Sequence, residues 1–146
     1  MNYRKAAIGL LKNKSLIEGA VSKLQQELAQ SEEQNELLES KKCLLDGDTY
    51  KVLKEEVEKE LFVLRFLLRQ ANTKLERIER GFSALSDYQK DLLQTFYVEK
   101  EGGDCTERCL DLEETWEKNR STIYRDKNIA LDRFALAVYG CCGEVE

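Results

Sequence analysis

The sequence predicts an all-α protein: an N-terminal antiparallel coiled-coil helical hairpin over residues 1–84, a C-terminal trihelical module over residues 85–140, and a tail over 141–146. Three observations predict it. Proline, which breaks helix interiors and is common in the turns of β proteins, is absent, while charged residues make up 35% of the chain and Leu, Glu, Lys and Gln abound. Two long runs place apolar residues at alternating four- and three-residue steps. Beyond them, helix start and stop signals follow one another closely.

Taken in order, the chain opens on a basic, partly apolar segment, MNYRKAAIGLLKNKS, whose apolar core is too short for a signal peptide. No window reaches the run of about 18 apolar residues that would cross a bilayer, so the expectation is a cytoplasmic protein with no membrane partner. Ile17, Val21, Leu24, Leu28, Ser31, Asn35, Leu38 and Leu45 then follow heptad steps, with one position skipped. Ser31 and Asn35 put polar groups into that seam, which weakens it and fixes its register. Asp46-Gly47-Asp48 predicts a tight break. Leu53, Val57, Leu61, Leu64, Leu68, Ala71, Leu75, Ile78, Phe82 and Leu85 give a second run. Two amphipathic helices joined by a short turn fold back on each other most simply. Phe62, Val63, Phe66 and Leu67 lie off the seam, so this helix is apolar on more than one face and needs a further partner. The C-terminal module or a second copy would serve, the latter giving a homodimer through the coiled-coil half.

Ser86-Asp87-Tyr88-Gln89 has the form of a capping box and starts a helix through about Val98 that buries Leu92, Leu93, Phe96 and Tyr97. A polar loop with Gly102-Gly103 follows; without a subsequent Lys and Ser/Thr it is a connector, not a phosphate-binding loop. Thr106 to about Trp116 is the next helix, with Cys109, Leu112 and Trp116 on one side. The last helix lies between Asn119, a good N-cap, and Gly140, a good C-terminal stop. Its apolar stripe is Ile123, Ala130, Leu131, Phe134, Ala135 and Val138; Arg120, Ser121, Thr122, Tyr124, Arg125 and Asn128 point the other way. A basic leading end and an apolar trailing end suit a helix whose first turns enter a DNA groove while the rest anchors it. Helix, loop, helix, turn, helix is the layout of a helix-turn-helix module.

Net charge is −5, with 15 Lys and Arg against 14 Asp and Glu over residues 1–84 and 8 against 14 over residues 85–146. The global balance opposes non-specific DNA binding. Between Lys118 and Arg133, however, five basic residues face two acidic ones, enough to steer one face toward phosphate with strong salt dependence. Histidine is absent, which removes the commonest general base and metal ligand. The five cysteines are Cys43, Cys105, Cys109, Cys141 and Cys142; an odd count without a secretion signal predicts reduced thiols. A zinc site on the last four is disfavoured, since adjacent Cys141 and Cys142 cannot easily face one metal. Glu55, Glu56, Glu58 and Glu60 lie around a helix and suit pairing with Lys51, Lys54 and Lys59 rather than acid–base work. The reading is therefore of a non-enzyme with no cofactor and no metal.

The pieces Leu85-Ser86, Leu92-Leu93, Phe96-Tyr97, Arg120-Ser121-Thr122-Ile123-Tyr124-Arg125, Ala130-Leu131 and Ala137-Val138-Tyr139-Gly140 resemble the region-four fold of sigma factors. They are more similar still to phage late-transcription regulators of the ArpU and RinA type, over about residues 82–140, with Asn2-Tyr3-Arg4-Lys5 as a shared opening. The resemblance implies a phage or prophage transcription regulator whose partners are double-stranded DNA and RNA polymerase. Arg120 to Arg125 would open the recognition helix: Ser121 and Thr122 on phosphates, Arg120, Tyr124 and Arg125 near bases or backbone, with Lys118 and Asn128 beside them. In the turn before that helix, such families place glycine and then an apolar residue where this chain has Glu117 and Lys118. Two other functions fit the same elements: a packaging protein like a terminase small subunit, which would form rings, and an adaptor that binds protein and not DNA.

Overall fold

The computed structural model describes residues 2–99 and 105–141, and among these the protein is entirely helical in its regular structure. Six α-helices follow in order: α1 (Tyr3–Lys12), α2 (Lys14–Ser40), α3 (Gly47–Ser83), α4 (Asp87–Leu93), α5 (Cys105–Trp116) and α6 (Arg120–Tyr139). A 3₁₀ turn, Lys42–Leu44, lies between α2 and α3, and a π-helical turn, Gln94–Val98, extends α4. The Gly102-Gly103 connector and most of the tail lie outside the described residues. The chain divides into two compact units, Met1–Leu16 with Lys74–Glu146, and Ile17–Thr73.

Within residues 17–73, α2 and α3 run side by side in opposite directions. Glu39 meets Tyr50 and Lys54, Asn35 meets Lys54 and Glu32 meets Arg65, so the partner's number rises as that in α2 falls. Lys54 anchors the pairing, with its ammonium 2.5 Å from Glu39 and 2.7 Å from the Asn35 carboxamide. Their mutual bonding pulls the Glu39 carboxyl below its ordinary value and raises the Lys54 ammonium. The heptad positions from Ile17 to Leu38, and Val57 to Ala71, are buried or half-buried; Leu61 and Leu64 are closed off almost completely. Leu53, at the open end of the run, is exposed. Ser31 is buried, and its hydroxyl has no hydrogen-bond partner among the described residues.

The break between the two helices is not the Asp46-Gly47-Asp48 turn that the sequence suggests. The chain leaves α2 at Ser40, turns through Lys42–Leu44, and already re-enters helix at Gly47. Asp46 is the cap: one carboxylate oxygen accepts the Thr49 backbone N–H at 2.8 Å and the other the Thr49 hydroxyl at 2.8 Å. Glycine beside acidic residues signals a turn by propensity, but capping chemistry at Asp46 decides where the helix begins.

The other unit is built on α6. Ile123, Ala130, Leu131, Phe134, Ala135 and Val138 are all buried, as the spacing predicts. One core cluster joins the C-terminal half of α6 to Ala7 and Leu11 of α1 and to Leu85 and Leu93; the other joins Ile123 to Leu92, Phe96, Cys109 and Leu112. The first residues, which the sequence reading places in the coiled-coil hairpin, form a helix of their own that docks on α6. Asn2 caps α1 by accepting the Lys5 backbone N–H at 3.0 Å. Arg4 holds Asp132 with two bonds, Nε to Oδ1 at 3.0 Å and Nη2 to Oδ2 at 2.7 Å. At the far end of α6, Gly140 takes the left-handed conformation (φ 76) and Arg80 donates to the carbonyls of Ala137 and Val138 at 3.2 Å each, satisfying acceptors that a helix end leaves open.

Candidate nucleic-acid interface

The candidate interface grows from the passage between α5 and α6. Trp116 ends α5 and Arg120 begins α6, leaving a three-residue turn. Glu117 in that turn has φ 52, and the Lys118 backbone N–H reaches back to the Glu113 carbonyl at 3.3 Å, which is the six-to-one closure of a left-handed helix stop. A glycine would adopt this backbone without strain; Glu117 adopts it nonetheless. The next element starts at once, because the Asn119 side-chain oxygen accepts the Thr122 backbone N–H and the Ser121 hydroxyl, both at 2.9 Å. The turn is held from below by packing. Leu92, Phe96, Cys109, Leu112 and Ile123 close the core beneath it, the Trp116 indole N–H donates to Asp91 at 2.6 Å, and Ser86 and Gln89 form the reciprocal capping box of α4.

On this platform Arg120, Ser121 and Arg125 are exposed, with side-chain exposures of 52% for Arg120 and 71% for Arg125. They share the leading turns of α6, whose unpaired backbone N–H groups favour anions. Thr122 and Asn128 are half-buried. Tyr124 is not an outward residue. It is half-buried, with its ring 5.7 Å from that of Phe96, because it lies seven residues before Leu131 and so shares the packed flank of the helix.

Charge pairing reshapes the basic cluster. Asp126 accepts the Tyr88 hydroxyl at 2.8 Å and lies 3.6 Å from the Lys118 ammonium and 3.8 Å from Arg125 Nε. Arg120 Nε stands 4.0 Å from Glu113. Lys118 also lies over the Tyr88 ring at 4.4 Å, and Lys127 over those of Tyr124 and Phe96 at 4.8 and 5.1 Å. Lys118 and Lys127 are therefore turned toward aromatic rings, while Arg120 and Arg125 keep acidic neighbours at 4.0 and 3.8 Å. Burial and the Asp126 bond push the Tyr88 phenol well above its ordinary range, so it stays a hydrogen-bond donor. Cys109 is a core residue, and its burial raises the thiol, so that it stays protonated. Among the described residues no group of acidic, cysteine or histidine side chains could hold a metal ion.

Asp126 and Lys127 are the residues that sequence reasoning undervalued, counting them only as charges. Lys127 had a readable signal: it lies four residues from Ile123 and Leu131, on the apolar stripe, where a lysine must lay its stem along the core. Among the described residues no helix is long and apolar enough to cross a membrane. Compared with known proteins, the chain matches no protein-family model, no curated protein and no solved structure.

Proposed function

We propose that the chain is a DNA-binding transcriptional regulator of the phage or prophage kind, acting without chemistry of its own. In this reading α4, α5 and α6 form a trihelical helix-turn-helix module similar to sigma region four, and α2 with α3 forms an antiparallel coiled-coil hairpin. The observation that carries it is the α5–α6 passage: a left-handed Glu117 stop, an immediate Asn119 cap, and Arg120 with Arg125 exposed on the first turns that follow. That arrangement presents two guanidinium groups and free helix N–H groups together, as a major-groove helix requires. RNA polymerase contact would be the route to regulation, as in the proteins that it resembles.

The test is fluorescence anisotropy with duplexes from the promoter region of the protein's own operon, across a salt series. Binding should weaken steeply with salt, and the Arg120→Ala/Arg125→Ala double variant should bind more weakly, with a salt slope smaller by about two. Equal binding by wild type and double variant at low salt rejects the assignment. The adaptor reading draws on the leaning of Lys118 and Arg125 toward Asp126 and of Arg120 toward Glu113. Binding to polymerase with no DNA affinity at any salt concentration would favour it.

A further inference from the structure

The face of α3 turned away from α2 carries Phe62, Val63, Phe66 and Leu67, and each is left in the open, Phe62 to 72%. Successive residues of a helix step by about 100°, so these four lie on one stripe with Lys59 and Gln70, opposite Leu61, Leu64 and Leu68 of the seam. Phe62 is a ridge between two shallow grooves. One, on the flank toward the seam, is bounded by Glu58, Leu61, Arg65, Phe66 and Arg69; the other, on the stripe itself, is bounded by Glu55, Glu58, Lys59 and Val63. The Phe62 ridge and the second groove share one face, and such a pair is self-complementary about a two-fold axis.

The charges along one flank fit an antiparallel copy. Glu58, Arg65 and Arg69 lie along one flank of the stripe, the acidic residue before Phe62 and the basic ones after it. When two helices pack antiparallel, residues on the same flank meet; when they pack parallel, opposite flanks meet. An antiparallel copy with its axis near residues 62 and 63 therefore sets Glu58 against Arg65 and Arg69 twice over. It also drops each Phe62 into the hole between Lys59, Phe62, Val63 and Phe66 of the other copy. Within one chain Glu58 is 3.9 Å from Lys54 and Arg65 is 3.6 Å from Glu32, contacts loose enough to leave 61% of the Glu58 side chain and 58% of that of Arg65 exposed.

We propose that this face of α3 is the docking surface for a second copy of the chain, paired antiparallel through Phe62 and Phe66. The pairing does not depend on whether α6 meets DNA. Sedimentation equilibrium of the full chain over a range of concentrations tests it. A reversible monomer–dimer equilibrium is expected, with Phe62→Glu weakening the dimer more than about tenfold, as loss of a central aromatic anchor should. Helical circular dichroism must be retained, since the substituted side chain faces solvent in the monomer. Glu58→Arg alone and Arg65→Glu/Arg69→Glu alone should each weaken self-association, and their mixture should form a heterodimer. A monomer at every concentration, a dimer indifferent to Phe62→Glu, charge variants that fail to rescue each other, or a closed ring of many copies each overturns the proposal.

Discussion

The ring of Phe134 occupies the space that a side chain at position 81 would need: a Cβ on Gly81 would lie 2.3 Å from Phe134 Cε2 and 2.4 Å from Cδ2. Glycine inside a helix ordinarily costs about 1 kcal/mol relative to alanine. Here it admits an aromatic ring that is wholly buried and set edge-on to Phe82, 5.6 Å between centroids.

Gly81→Ala should therefore destabilise the protein by about 1–3 kcal/mol, the range for overpacking a filled core, although helix propensity alone has the opposite sign. Urea denaturation of Gly81→Ala, Phe134→Leu and the double variant separates the two effects. The clash predicts that the double variant is less destabilised than the sum of the singles by more than about 0.5 kcal/mol. A stabilised Gly81→Ala would mean that the ring does not hold this position.

Glu117 gives a second backbone test. A non-glycine residue at φ 52 carries strain of about 1–2 kcal/mol, part of which glycine returns through its looser unfolded state. Glu117→Gly should raise the thermal midpoint, and Glu117→Gln, which removes the charge and keeps the Cβ, should leave it unchanged. A gain in both would assign the effect to charge.

Much of this architecture was legible because helix caps and periodicity are local. The Asn119 and Gly140 termini, the Ser86–Gln89 box and the buried stripe of α6 each follow from a few neighbouring residues. The all-helical class followed from composition and period in the same way. What was not legible depends on residues far apart in sequence. That α1 docks on α6 is decided by Ala7 and Leu11 meeting a core made more than a hundred positions later, and by the Arg4–Asp132 pair. At the candidate interface, exposure of Arg120 and Arg125 was readable from the helical wheel. The neutralising role of Asp126 was not, since it needs Tyr88 and Lys118 brought in by other segments.

Acid should loosen the start of α3. Two bonds from Thr49, from its backbone N–H and then its hydroxyl, hold the Asp46 carboxyl below its ordinary value. A group whose folded value is depressed stabilises above its unfolded value, about 3.9, and loses that contribution as the pH falls through the folded one. Asp46→Asn keeps the cap acceptor without the titration, so its melting temperature should fall less than that of wild type between about pH 5 and pH 2. Parallel profiles for the two proteins would remove Asp46 as the titrating cap.

Ser31 sits in the seam between Leu28 and Asn35, its hydroxyl unpaired among the described residues. An unsatisfied buried polar group costs about 1–3 kcal/mol, so Ser31→Ala should stabilise the protein by about 1 kcal/mol in urea denaturation. Asn35, the other polar residue of the seam, accepts from Lys54, and Asn35→Ala should be destabilising. The opposite signs at two polar positions of one seam test partner satisfaction against polarity itself.

Asp126 sets the sharpest condition on the proposed DNA contact. Its carboxylate lies within 4 Å of both Lys118 and Arg125, and any phosphate approaching those cations must compete with it. Asp126→Asn retains an acceptor for the Tyr88 hydroxyl while releasing both cations, so the fold should persist by circular dichroism. Duplex affinity at low salt should rise by about three- to tenfold, corresponding to roughly 0.7–1.4 kcal/mol, and the gain should shrink as added salt screens the phosphates. If the recognition face lies elsewhere, removing this charge leaves the affinity where it was, even though Lys118 and Arg125 have been freed.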